Sequence, residues 1–168
     1  MGRQEILDKI AKAQAELDKA KGLLDEYYKS NIKDWRPEKD RVYWYVGDDN
    51  CVNATLNFGC EPHKSRIKTY NCFQTKEQAE QEAEKILVRR ILEDIAKRLN
   101  KGEKIDWNNE EQAKYSISLD ITGNEIGWDK EVRFTSQGTI YCLDMNFYKV
   151  AIEEIGTERL IKYLRGEK

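Results

Sequence analysis

A chain of 168 residues, 36% charged and 39% hydrophobic, can build one thin-cored domain with an appendage, or two small lobes, under a surface dense in mixed charge. Its net charge of −2, from 29 basic and 31 acidic residues, argues against a general nucleic-acid binder with a broad basic stripe, though it does not exclude a local basic patch. Residues 1–25 carry charge throughout with no apolar signal core, and no run approaches the roughly 18 apolar residues of a membrane span, so the expected location is cytoplasmic with no membrane partner.

The first predicted element is a helix over residues 3–29, within an N-terminal segment 1–30. Ile6, Ile10, Ala13, Leu17, Ala20, Leu24 and Tyr27 recur in alternating steps of four and three, which is a heptad seam. Charged residues such as Lys9, Lys12, Glu16 and Lys19 line the intervening face. A seam this narrow takes one partner helix, either from a second copy or from later in this chain. Its narrowness favours a homodimer, with Leu17 and Leu24 as contact residues.

Pro37 forbids continuation of that helix. Residues 41–46 are aromatic and β-branched and read as a strand, closed by the turn residues 47–50. Residues 51–58 alternate apolar and polar, giving a second strand, and residues 66–73 give a third. Thr75 and Gln78 form a capping box for a helix over 76–100, whose wide apolar stripe suits a sheet. The pattern then restarts. Tyr43 lies eight residues after Trp35, and Tyr115 eight after Trp107. Strands are predicted at 115–121, 130–135 and 139–143, and a last helix at 144–165. Cys72 and Cys142 take matching places before their helices. The predicted fold is α+β: a long N-terminal amphipathic, coiled-coil-like helix (1–30), followed by two degenerate β-β-β-α units (31–104 and 105–168) with antiparallel sheet.

Few residues of the chain stand in a pattern that chemistry requires. Cys51, Cys60, His63 and Cys72 have the donor types for zinc, but their spacing fits no common zinc pattern, and Cys51 and Cys72 sit in apolar strands. His63 is the single histidine, expected to be solvated in a loop beside Lys64 and Arg66. There is no serine-nucleophile elbow, phosphate loop or metalloprotease helix. Asp48 and Asp49, or Asp120 with Asp129, lack the alternating carboxylates of an oxygen-ligand loop. The expectation is a non-enzyme with no catalytic residue, metal or cofactor, its four cysteines reduced. The aromatic strand is the more informative feature. Tyr43 and Tyr45 share one face and Trp44 takes the other, so one face is core and the other is left for this chain, a protein partner or stacked bases.

Residues 35–46 (WRPEKDRVYWYV) and 71–80 (NCFQTKEQAE), with the long helix after them, resemble small proteins encoded by phages and prophages of Firmicutes and gut bacteria. The resemblance covers roughly residues 35–100. The N-terminal seam and acid-leaning balance are also similar to some anti-CRISPR proteins. This resemblance implies a phage-encoded inhibitor that binds a host defence effector, most of all a CRISPR-Cas nuclease, without chemistry of its own. The alternative is a nucleic-acid-binding accessory protein using the aromatic strand. Residues 105–168 hold 12 acidic against 8 basic side chains. Such carboxylates, Asp120 and Asp129 among them, would face a basic effector groove, with Trp35, Tyr43, Tyr45, Trp107 and Trp128 as interface candidates.

Overall fold

The structure is a computed structural model that describes residues 9–10, 12–14, 16–22, 35–120 and 122–166. From residue 35 the elements run β1 (Val42–Val46), β2 (Val52–Leu56), α1 (Glu61–Lys68), α2 (Lys76–Leu99), β3 (Lys114–Leu119), β4 (Ile126–Glu131), α3 (Phe147–Ile155) and α4 (Thr157–Arg165). The strands form two separate antiparallel hairpins, β1–β2 and β3–β4. In the first, Asn50 takes the left-handed conformation (φ 64°) and donates its N–H to Gly47 O at 2.9 Å, turning the chain so that Tyr43 faces Thr55 and Trp44 faces Ala54.

Each hairpin gains a fragment of a third strand. Trp44 and Phe73 exchange backbone hydrogen bonds of 2.9 and 2.8 Å, and so do Tyr115 and Cys142 at 2.7 and 2.8 Å. In the first lobe the next rung is made by a side chain. The Asn71 amide accepts from Val46 N at 2.9 Å and donates to Val46 O at 2.8 Å, replacing the backbone of a neighbouring strand. These matched bridges set the true register of the repeat. Trp44 corresponds to Tyr115, so Tyr43 corresponds to Lys114, and both are fully buried. Each has its polar tip satisfied. The Tyr43 hydroxyl meets His63 Nδ1 at 2.9 Å, while Lys114 Nζ donates to Asn109 O at 2.8 Å and Val132 O at 3.3 Å. The cysteines are one residue out of step, because Phe73 rather than Cys72 is the partner of Cys142 in the repeat.

Helix α2 joins the two lobes. The predicted capping box is present: the Thr75 hydroxyl accepts from Gln78 N, and Gln78 Oε1 accepts from Thr75 N. Ala79 and Ala83 are buried in the first half of α2, where Asn50 Nδ2 donates to Ala83 O at 2.9 Å and ties down the hairpin turn. Farther along, Val88, Leu92, Ile95 and Ala96 join Cys142, Phe147, Ala151, Ile155 and Leu160 in the main core. Full burial of a side chain such as Ile95, Phe147 or Leu160 contributes about 1.5–3 kcal/mol. Arg98 with Glu154 and Arg159 with Glu84 brace α2 against α3 and α4 at the surface. Exposed pairs of this kind contribute about 1 kcal/mol or less.

The predicted architecture is corrected in several places. The mixed α/β character and small antiparallel sheets stand, but among the described residues the longest helix is α2, not an N-terminal one, and the order is β-β-α rather than β-β-β-α after a long leading helix. Residues 9–10, 12–14 and 16–22 are helical, with Ile10 and Leu17 at 60% and 49% exposure, so this part of the seam is not buried in the chain's core. The predicted strand over 66–73 is mostly helix α1 and its end. Pro62 opens the first turn of α1, Glu61 stands at its positive end, and Arg66 and Lys68 at its negative end. In the second lobe, β4 lies four residues before the predicted start of that strand, and the predicted strand 139–143 reduces to the Cys142 bridge. The predicted last helix is two, broken at Gly156, whose φ of 90° is open to glycine and costly for other residues.

Candidate functional site

The C-terminus of α1 builds an unusual corner. Asn71 N bonds Arg66 O at 2.9 Å and Tyr70 N bonds Ile67 O at 3.3 Å, the paired bonds of a Schellman motif. The position that this motif usually gives to glycine is held here by Tyr70, at φ 60°. A left-handed conformation costs a residue with a Cβ about 1–2 kcal/mol. Tyr70 is nevertheless 67% exposed, so burial does not repay that strain. The Arg36 guanidinium lies 4.3 Å from its ring centroid and also donates to Trp35 O at 2.9 Å, bringing the 35–36 segment against the corner.

Between this corner and the start of α2 lies a half-open cleft of about 350 Å³. Trp35, Tyr70 and Phe73 supply its aromatic surface, and Gln74, Gln81 and Lys85 its polar edge. Its lining is mainly apolar, with a few amide and charged groups that would orient an occupant. A second hollow of about 250 Å³ shares Gln81 and Lys85 and continues along α2 to Arg159, Lys162 and Tyr163. Cys72 borders the cleft, where burial pushes its thiol up, against a smaller opposing effect of Arg36.

The predicted interface residues do not converge. Trp35 alone lies in the cleft. Tyr43 is core, and Tyr45 is half-buried beneath Arg66, whose Cζ sits 3.7 Å from the ring centroid. Helix α1 therefore covers the tyrosine face of the strand, which leaves no open platform there for stacked bases. Trp107 packs edge-on to Tyr141 at 5.0 Å and lies 5.3 Å from the Lys114 amine, so it closes a loop over the buried lysine. Trp128 is 40% exposed and tilts against Tyr115 at 5.6 Å on the outer strand of the second hairpin. Asp129 is exposed beside it. Leu17 is exposed, and Leu24 lies outside the described residues.

Asp120 faces its own turn. Its carboxylate accepts from the Thr122 hydroxyl at 2.6 Å and from the backbone N–H groups of Thr122, Asn124 and Glu125. These bonds, the Thr122 hydroxyl first, hold its pKa down at about 2. Glu110 and Glu154 are likewise paired, with Arg133 and Arg98. The acid-rich C-terminal stretch thus spends several carboxylates on internal contacts.

His63 corrects another expectation. It is 6% exposed, clasped edge-on by Tyr43 and Phe58 at 5.8 Å each, with Nδ1 committed to the Tyr43 hydroxyl. Its place is structural, pinning α1 to the hairpin. Cys51 and Cys60 are exposed and free, Cys72 and Cys142 buried and free, and no cluster of three or more metal-donor side chains forms among the described residues. No helix among them is long and apolar enough to cross a membrane.

Sequence reasoning missed Tyr70, Arg36, Gln81 and Lys85. The available signal was a bulky aromatic directly after a short basic helix end, where glycine or asparagine is the ordinary choice. No protein-family model, curated protein or solved structure matches the chain.

Proposed function

We propose that the protein is a non-catalytic binding protein that takes a side chain or short loop of a partner protein into the Trp35–Tyr70–Phe73 cleft. The observation that carries this reading is Tyr70, an exposed aromatic kept in a strained conformation that glycine would adopt at less cost. Large, half-exposed aromatics around a concave apolar surface are the usual anchors of protein interfaces. The near-neutral charge supports a protein partner over nucleic acid. In the finer form of the proposal, which rests on the resemblance to phage-encoded proteins, the partner is a host defence effector such as a CRISPR-Cas nuclease, and binding blocks it.

The experiment pairs stability with protection. The chain is expressed in bacteria carrying an active CRISPR-Cas nuclease, and survival of a targeted plasmid is scored. Tyr70→Gly relieves the left-handed strain while giving up a cation–π contact, so its unfolding free energy should stay within about 1 kcal/mol of wild type. Its protection should nevertheless fall about tenfold or more, as for an interface anchor, and Trp35→Ala should act in the same direction. Full protection by both variants would remove the cleft from the mechanism. No protection by the wild-type chain against any defence system tried, together with tight DNA or RNA binding at physiological salt, would replace this reading with the nucleic-acid one.

A further inference from the structure

The two hairpins treat their outer edges differently. In the second, outer strand β4 ends in Asp129, Lys130 and Glu131, the kind of charge that keeps an edge from pairing with another chain. In the first, outer strand β2 reads Val52-Asn53-Ala54-Thr55-Leu56, with no charge and no proline. The inner edge of that hairpin is already closed by Phe73 and Asn71. Because Trp44 directs its N–H and C=O to Phe73, its cross-strand partner Ala54 must direct its own away from β1. By the same alternation Val52 and Leu56 point outward. The outward groups of Val52 and Ala54 meet no hydrogen-bond partner among the described residues, and Ala54 is exposed.

The strand is also palindromic in chemistry. Read in either direction it is apolar, polar, small, polar, apolar. We propose that β2 is a self-pairing edge, onto which a second copy of this chain docks its own β2, antiparallel, about a two-fold axis at Ala54. In that register Ala54 meets the partner's Ala54, Val52 meets the partner's Leu56, and Asn53 meets the partner's Thr55. Apolar side chains meet apolar ones on one face, and hydrogen-bonding ones meet on the other. The outward backbone groups of Ala54 then pair with those of the partner's Ala54, those of Val52 meet the partner's Leu56, whose carbonyl also accepts from Phe58 N at 3.1 Å within its own chain, and the two hairpins become one four-stranded sheet. Such an interface uses the same patch on both chains and closes on itself, so it yields a dimer rather than a filament. Leu56, at 41% exposure, would lose solvent on its outer side. The cleft lies on the Phe73 side of the hairpin, away from β2, and is left free, so this inference does not rest on the proposed function.

The two-fold axis supplies the test, because one substitution at Ala54 meets itself. Ala54→Lys sets two ammonium groups against each other in the dimer, while in the monomer the side chain extends into solvent. Light scattering over a concentration series should give wild type a mass of two chains, and Ala54→Lys half that mass with an unchanged circular dichroism spectrum. Hydrogen exchange should show the Val52 and Ala54 amides gaining about tenfold protection or more as wild type is concentrated, with no such gain in the variant. A one-chain mass for wild type throughout, or a dimer that Ala54→Lys leaves intact, would overturn the proposal.

Discussion

Replacing Asn71 by alanine removes both hydrogen bonds to Val46 and leaves a backbone N–H and C=O unpaired at a residue that is 6% exposed. Each lost bond is worth about 1 kcal/mol net, and a buried polar group left without a partner adds about 1–3 kcal/mol. Asn71 itself is half-exposed, so water reaches part of the gap, and the expected cost is about 2–4 kcal/mol. At roughly 2–4 °C per kcal/mol for a chain of this size, the melting temperature should fall by roughly 5–15 °C. Asn71→Asp separates the two bonds. Its ionised carboxylate still accepts from Val46 N but confronts Val46 O, so at neutral pH it should be no better than alanine. Protonation restores a donor to that carbonyl. The folded state therefore raises the pKa of the introduced carboxyl above the ordinary aspartate value of about 3.9, and the deficit present at high pH should shrink as pH falls through that raised value. Urea unfolding of both variants from neutral to acid pH reads this directly. An alanine variant within about 0.5 kcal/mol of wild type, or an aspartate variant with the same pH profile as alanine, would refute the account of Asn71 as a substitute strand.

Two further outcomes follow from the buried and turn contacts. The Asp120 carboxyl, held at about 2 against an ordinary 3.8, stabilises the β3–β4 turn fully above the ordinary value, and that stabilisation is lost as pH falls through about 2. Amide shifts of Thr122 and Asn124 should follow a midpoint near the lower value, and a midpoint at 3.8 would show that the turn bonds do not persist in solution. Tyr43→Phe leaves His63 Nδ1 without its buried partner and should cost about 1–2 kcal/mol in denaturant unfolding, whereas an unchanged midpoint would mean that the bond is replaced by water.

The parts of this fold that local chemistry dictates were legible in advance. Thr75 and Gln78 announce the start of α2, its apolar spacing gives its length, and Gly47 to Asn50 announce the first turn. Where tertiary context decides, sequence fell short. Helix α1 has eight residues and His63 as its buried position, too little for a helical period to show, so residues 66–73 read as a strand. Trp35 and Trp107 suggest the repeat with Tyr43 matching Tyr115, but the bridges to Phe73 and Cys142 shift the register by one residue, and the buried counterpart of Tyr43 is a lysine that no hydrophobic pattern would suggest. The cleft joins residues about forty positions apart in the chain, and its signal, an aromatic at a helix end, is visible only once that end is known.

Helix α2 gives the molecule a property that neither hairpin has alone. Its 24 residues make a rod about 36 Å long with one end in each lobe. The hairpin-and-helix units count as two along the chain, yet they share this rod as adjoining rooms share a beam. A fragment ending near residue 104 would keep Val88, Leu92 and Ile95 with nothing to close on, and one beginning there would keep Phe147 and Leu160 without their opposite wall. Neither piece is a module that recombination could move intact. Loop changes around residues 103–112 leave the rod untouched, whereas any cut or insertion within 76–99 breaks both rooms at once.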